Sequence, residues 1–134
     1  IIAGLQTARN EAIRRNASSQ FKLAAPGTTQ WRVNFTSDPD ANPRMTRVAE
    51  EGSPNATIAF TPPDANTVTF SSLGRVVPNA DASPSITQID IDNPTIPVVG
   101  DRRVLRIIIP AGGAIRLCDP SPNVGATDPR RCQP

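Results

Sequence analysis

The sequence predicts an α+β domain in which one amphipathic helix packs on antiparallel β-sheet. Apolar residues recur with helical spacing over the first 21 residues, and beyond a turn signal at 24–27 they alternate with polar residues, as in strands. Fifteen prolines among 134 residues indicate many turns between short strands. The length suits one domain, so we expect a single unit over 1–134, with a helix in 1–22 and a β-rich head in 28–134.

The helix is expected to run without a break to about residue 21 and to carry two apolar stripes. One stripe repeats at i, i+4, i+7 and i+11 and comprises Ile1, Leu5, Ala8 and Ala12. The second is looser and comprises Ile2, Ile13 and Ala17. Two stripes indicate two burial partners, the protein's own sheet and a partner outside it, and we expect Ile1, Ile2 and Leu5 to face outward. No capping residue precedes Ile1, which favours the second half of a longer helix; the alternative is a single-faced helix with an ill-defined start.

Seven segments predict the strands, and 45–48 is the weakest of them. They are 31–35, 45–48, 57–60, 67–70, 86–91, 105–109 and 114–118. Turn residues at 62–66 predict a hairpin between the two strands that flank them, and the turn at 110–113 predicts a second hairpin. The connecting segments 37–43 and 77–84 are polar and are expected to be mobile loops.

Basic residues are concentrated at the two ends of the chain. The net charge is +2, but residues 23–101 hold four Arg against nine acidic residues, whereas residues 102–134 hold six Arg against two. Such a basic end attracts nucleic acid or anionic surfaces. It pairs equally well with acidic loops of the same chain or of a neighbour, so the charge alone does not identify the partner.

The two cysteines, Cys118 and Cys132, lie close to the end of the sequence. The segment between them consists of turn-forming residues that cannot build a core, so we expect a disulfide to pin it. A bond that closes a loop of about 15 residues stabilises a fold by about 3 kcal/mol in the chain-entropy description. It also indicates an oxidising compartment such as the periplasm or the cell exterior. The alternative is two unrelated thiols.

The composition argues against catalysis and against a metal centre. The chain has no His, which excludes Ser-His-Asp and Cys-His arrangements within it, and two Cys alone are too few for a zinc site. Asp90 and Asp92 fall on the same side of a predicted strand, where we expect a solvated face and not an acid–base pair. We therefore expect no enzyme activity, no cofactor and no bound metal.

Several segments together resemble one protein family. The helix motif at 7–16 (TARNEAIRRN), the segment at 70–75 (FSSLGR) and the tail at 115–120 (IRLCDP) with 128–132 (DPRRC) resemble the GspH/FimT family of type IV pilins and pseudopilins. Trp31, expected to begin the first strand after the helix, fits the same pattern.

The resemblance implies a pilin fold, with a long N-terminal helix on antiparallel sheet and a C-terminal disulfide loop. It also implies a hydrophobic helical segment upstream that anchors the protein in the inner membrane, with the domain in the periplasm before assembly and in an extracellular pilus afterwards. The implied partners are other minor and major pilins in a helical filament. Ile1, Ile2 and Leu5 would be its contacts with the filament core.

Resemblance to FimU-like members implies a minor pilin that primes pilus assembly and sits at or near the tip. The alternatives are a DNA-binding competence pilin of natural transformation and a minor pseudopilin of type II secretion. DNA-binding members carry a Gly-Arg-x-Arg motif, and the matching segment here, 113–116, keeps only its second arginine. Weak DNA binding is therefore expected. The arginines expected to contact DNA or a partner are Arg102, Arg103, Arg116, Arg130 and Arg131.

Overall fold

The computed structural model describes residues 1–24, 27–38, 42–51, 54–97 and 101–133. Within these described residues, one helix, α1, is followed by nine short strands and a single turn of 3-10 helix at Ala49–Glu51. The elements are α1 Ile2–Arg15, β1 Ser19–Leu23, β2 Trp31–Phe35, β3 Met45–Arg47, β4 Thr57–Thr61, β5 Thr67–Phe70, β6 Val76–Val77, β7 Gln88–Asp92, β8 Leu105–Ile108 and β9 Arg116–Cys118. No helix within the described residues is long and apolar enough to cross a bilayer.

The strands form two antiparallel sheets, which confirms the predicted α+β class. The five-stranded sheet has the order β3-β2-β1-β5-β6, and the four-stranded sheet has the order β4-β7-β8-β9. Both sheets contribute to one apolar cluster, with α1 packed on β1, β2 and β5. Its largest fully buried side chains are Trp31, Phe21, Phe70, Leu5, Ile86, Ile89 and Ile107.

The helix lies directly on an aromatic pair of the five-stranded sheet. The Phe21 and Trp31 rings have centroids 5.8 Å apart, and a methyl group on Gly4 would lie 2.8 Å from atoms of both rings. Leu5, Ala8 and Ala12, three residues of the first stripe, are wholly buried and belong to the core cluster that the helix forms with the sheets. Small residues on this face allow the close approach, because a larger side chain at Gly4 would displace the rings.

The helix ends at Arg15, so the prediction of a continuous helix to about residue 21 is wrong. Asn16 adopts a left-handed conformation (φ 51°, ψ 41°), and the Ala17 N–H donates back to the Ala12 carbonyl at 3.1 Å. This hydrogen-bonding pattern terminates helices, and Asn is among the few residues that tolerate it. β1 then occupies the rest of the segment assigned to the helix, and Trp31 begins the second strand after the helix instead of the first.

The predicted hairpin across 62–66 does not form. β4 pairs with β7 in the four-stranded sheet, whereas β5 pairs with β1 and β6 in the other, so the turn carries the chain between sheets. The second predicted hairpin is confirmed, because β8 pairs with β9 and places Ile107 opposite Leu117.

The segment 77–84 is organised around a buried amide, contrary to the expectation of a mobile loop. Asn79 is 4% exposed. Its Nδ2 donates to the Ser83 and Pro84 carbonyls at 3.1 and 3.2 Å, and its Oδ1 accepts the Thr69 hydroxyl at 2.8 Å. A side chain placed in this way fixes the loop to β5, because the buried Thr69 hydroxyl and the buried Asn79 amide satisfy each other. The other predicted loop, 37–43, lies partly outside the described residues.

Backbone hydrogen bonds join the two sheets at one side of the molecule. The Val76 N–H on β6 donates to the Ala111 carbonyl in the β8–β9 turn at 2.9 Å. The Ile86 N–H donates to Thr67 at 3.0 Å, and the next residue, Thr87, accepts from Ile109 at 2.8 Å. These bonds hold the β8–β9 hairpin, and hence the C-terminal segment, in a fixed position relative to the helix.

Candidate interaction surface around the disulfide loop

The C-terminal segment is closed by the predicted disulfide. Cys118 and Cys132 are bonded, with Cα atoms 4.8 Å apart. Beside the bond, the Asp119 N–H donates to the Arg130 carbonyl at 2.6 Å and the Cys132 N–H donates to the Asp119 carbonyl at 3.1 Å. The buried Asp119 carboxylate accepts the Ser121 N–H at 2.8 Å. We call residues 119–131 the disulfide loop, and these contacts fix it against the end of β9.

Two carboxylates of β7 pair with arginines, and this corrects the expectation of a simply solvated strand face at Asp90 and Asp92. Asp90 accepts two hydrogen bonds from Arg106, which lies opposite it on β8, at 2.7 and 3.0 Å. Asp92 accepts two from Arg102, the Nε bond being 2.8 Å long. These bonds raise the pKa of Arg106 and lower the pKa of Asp92. The acids and bases of this face therefore neutralise one another.

A third ion pair lies within the disulfide loop. Arg130 donates to both oxygens of Asp128, at 3.0 Å from Nε and 2.6 Å from the terminal nitrogen. These hydrogen bonds, with a further one from the Arg130 N–H, hold the pKa of Asp128 at about 2. Arg130 is thus bound to its own loop, although it was predicted as a contact for DNA or a partner.

The five predicted arginines do not converge on one site. Arg102, Arg103 and Arg130 line a cleft of about 580 Å³ between residues 102–106 and the disulfide loop. Arg116 and Arg131 line a separate cleft of about 230 Å³ on the other side of β9 and the disulfide. Of these five, Arg103, Arg116 and Arg131 make no ion pair with any residue that the structure describes.

The apolar helix residues predicted to contact the filament core differ in how far they are buried. The prediction that Leu5 faces outward is wrong, because its side chain is wholly buried between the helix and the sheet. Ile1 and Ile2 are half-buried at the margin of the core. Ile13, from the second stripe, is 45% exposed near the end of the helix. Ile2 and Ile13 thus keep accessible surface away from the buried stripe.

Sequence reasoning missed Arg106 as a member of the larger cleft, and it missed the pairing of three aspartates. A signal was present: acidic residues alternate along 88–92, and Arg106 lies in the next predicted strand along the chain. Opposite charges on adjacent antiparallel strands pair when the register places them across from each other.

Within the described residues there is no group of three or more acidic or Cys side chains able to hold a metal.

Comparison with known proteins identifies the family. The family described as "Type II transport protein GspH" matches residues 1–113. This chain belongs to the GspH/FimT family. The description of the family is that of a type II transport protein, and the fold neighbours are type IV minor pilins. The matched region ends at Gly113, so the disulfide loop and three of the predicted arginines lie beyond it.

Two solved structures share the fold of this GspH/FimT protein. Both are of the type IV minor pilin FimU of Pseudomonas aeruginosa strain PAO1, in two crystal forms, and both are 21% identical to this chain. The TM-scores are 0.59 and 0.58, and the alignments cover 86% of this chain and 80% and 84% of FimU. A search of curated protein sequences gives no match.

Proposed function

We propose that this protein is a minor pilin of a type IV pilus, a structural subunit that primes assembly and sits at or near the tip. The observation that supports this most is the fold shared with the FimU minor pilin over 86% of the chain. The charge distribution agrees with a structural role. Arg102, Arg106 and Arg130 are each bound to an aspartate of the same domain, so half of the six arginines in 102–134 are already neutralised within the domain.

In this proposal a hydrophobic helical segment upstream of Ile1 anchors the protein in the inner membrane, with the domain in the periplasm until it enters the pilus. Ile1 and Ile2 then contact neighbouring helices in the filament core, because their partly exposed side chains stand at the margin of the domain. Other minor pilins and the major pilin are the partners, joined through a non-closing interface that generates a helical filament.

The experiment is deletion of the gene, followed by counting of surface pili by electron microscopy. A priming minor pilin predicts few or no pili, and restoration when the gene is supplied on a plasmid. Normal pilus number in the deletion strain would contradict the priming role.

DNA uptake is the second candidate, and a specific observation favours it. Arg116 and Arg131 line the same small cleft and have no ion pair within the described residues. Two arginines provide about two phosphate contacts, and binding of this kind weakens steeply as salt rises. In an electrophoretic mobility shift assay we expect a weak shift at low salt that Arg116→Gln/Arg131→Gln removes, whereas Arg130→Gln, which alters only the Asp128 pair, retains it. Clear binding at moderate salt that the double variant abolishes would rank DNA uptake first.

A type II secretion pseudopilin is the third candidate, favoured by the description of the matching family. The same deletion strain distinguishes it, because loss of secreted enzymes with normal pili would assign the protein to secretion.

A further inference from the structure

Arg103 lies where two clefts meet. It lines the cleft of about 580 Å³ beside the disulfide loop, and it also lines a neighbouring cleft of about 320 Å³. The second cleft is formed by residues 54–56, residues 91–93 and Leu105. Arg103 is the residue that the two clefts share, and we call the two adjoining clefts together the Arg103 groove.

Arg103 is the unneutralised charge among the arginines of this groove. Its three neighbours are each bound to an aspartate, in the pairs Asp92–Arg102, Asp90–Arg106 and Asp128–Arg130. Asp119, the remaining acid of the lining, is 8% exposed and accepts a backbone N–H of its own loop. Arg103 is exposed and makes no ion pair with any residue in the described part of the chain. A carboxylate that reached it would therefore meet a cation with no competing partner among the described residues.

A small apolar surface lies next to Arg103. Leu105 is 40% exposed at the start of β8, and its cross-strand partner Ile91 is half-buried. Both line the smaller cleft together with Arg103. An extended peptide in the groove would thus meet the Arg103 guanidinium and the branched aliphatic surface of Leu105 and Ile91 at positions one or two residues apart in the peptide.

We propose that the Arg103 groove binds an extended segment of another pilin subunit, in which an acidic residue stands close to an aliphatic one. The carboxylate accepts hydrogen bonds from Arg103, which offers a planar fork suited to it, and the aliphatic side chain packs on Leu105 and Ile91. This inference rests on the proposed role in a filament and names the chemistry of one subunit contact.

An acidic segment fits this groove better than nucleic acid does. A polyanion would place successive phosphates against Asp92 and Asp128 as well as against Arg103, and nucleic-acid binding of useful strength needs several free cations. The groove instead offers one guanidinium without an ion pair among the described residues, next to the apolar surface of Leu105 and Ile91. This combination suits a single charge-assisted hydrogen bond at the margin of a protein interface, where complementary charge selects the partner.

The position of the partner is tested by photo-crosslinking in piliated cells that make the full-length protein. A benzophenone amino acid replaces Leu105 in one strain and Leu73 in another, since Leu73 is 77% exposed on the distant β5–β6 turn. We expect position 105 to crosslink to a segment of another pilin that carries Asp or Glu near an aliphatic residue, as identified by mass spectrometry. Crosslinks from position 105 only to the same chain or to DNA, or no crosslink at all, would overturn the proposal.

The charge is tested with Arg103→Glu against Arg75→Glu. Arg75 is likewise exposed and without an ion pair within the described residues, but it lies outside the groove. We expect Arg103→Glu to reduce recovery of the protein in sheared pili by roughly tenfold, as a like charge repels the partner's carboxylate, and Arg75→Glu to leave it within twofold. Equal recovery of both variants would overturn the groove contact. If the two variants were recovered equally but the deletion strain lacked pili, the proposed minor-pilin function would stand and only the groove contact would be rejected.

Discussion

The Nε of Arg9 on α1 donates a hydrogen bond of 3.1 Å to the carbonyl oxygen of Gly74 in the β5–β6 turn. The β8–β9 turn closes on the same oxygen, because a methyl group placed on Gly113 would lie 1.9 Å from it. One carbonyl thus brings together the helix, the five-stranded sheet and the hairpin that leads to the disulfide loop. Gly113, the first residue of the segment that matches the Gly-Arg-x-Arg motif, therefore has a structural role in this junction.

Gly113→Ala should weaken this junction. Gly113 has φ +78°, a region that costs a residue with a side chain about 1–2 kcal/mol, and the added methyl would collide with the Gly74 carbonyl. We expect a loss of at least about 2 kcal/mol in the free energy of unfolding, measured by urea denaturation. The adjacent Gly112→Ala is the control, since no atom lies within 4 Å of its added methyl; a loss equal in the two variants would contradict the account.

Leu5→Ala and Ile13→Ala test which face of α1 belongs to the domain. Leu5 is wholly buried and Ile13 is 45% exposed. Truncation of a buried leucine costs about 2–5 kcal/mol, whereas we expect Ile13→Ala to cost about 1 kcal/mol, because nearly half of the Ile13 surface is already exposed to water. Thermal unfolding of both variants measures the difference. An Ile13→Ala variant less stable than Leu5→Ala would show that the helix faces have been assigned the wrong way round.

Cys132→Ser should destabilise the domain by about 2–5 kcal/mol, because the loop from Cys118 loses its covalent closure. Unfolding of the wild type with and without reductant gives the same comparison without a mutation. Addition of reductant to Cys132→Ser should change nothing further. A variant as stable as the oxidised wild type would contradict the role given to the bond.

The pair formed by Asp128 and Arg130 gives a pH prediction. The pKa of Asp128 in the folded protein is about 2, below the value of about 3.9 in an unfolded chain. A depressed pKa favours the folded state above the unfolded pKa, and this contribution is lost as the pH falls from about 4 through 2. NMR titration of the Asp128 carboxyl should give a midpoint near 2, and Arg130→Gln should move it upward toward the ordinary value. A midpoint near 4 in the wild type would show that the pair does not form in solution.

Local sequence patterns predicted those parts of the fold that local interactions determine. The apolar stripe that contains Leu5, Ala8 and Ala12 follows from helical spacing, although the inward orientation of Leu5 does not. The β8–β9 hairpin follows from a short turn between two apolar runs. The disulfide followed because turn-forming residues between Cys118 and Cys132 offer no other means of fixing that segment.

Long-range pairing determined what the sequence did not predict. β1 has only five residues, and just three residues separate it from the end of the helix. The helical pattern of apolar residues continues through Ala17, so the alternating burial of β1 is not evident from the sequence. The strands on either side of 62–66 belong to different sheets because each finds its partners elsewhere in the chain. The neutralisation of Arg102 and Arg106 likewise depends on where the fold places Asp92 and Asp90, which charge counts along the chain do not reveal.

The most direct test of the central claim is quantitative mass spectrometry of pili sheared and purified from cells that make the full-length protein. A minor pilin that enters the filament should be present in the purified pili, at far lower abundance than the major pilin. Absence of this protein from purified pili of normal appearance, with all of it retained in the cell envelope, would contradict the account.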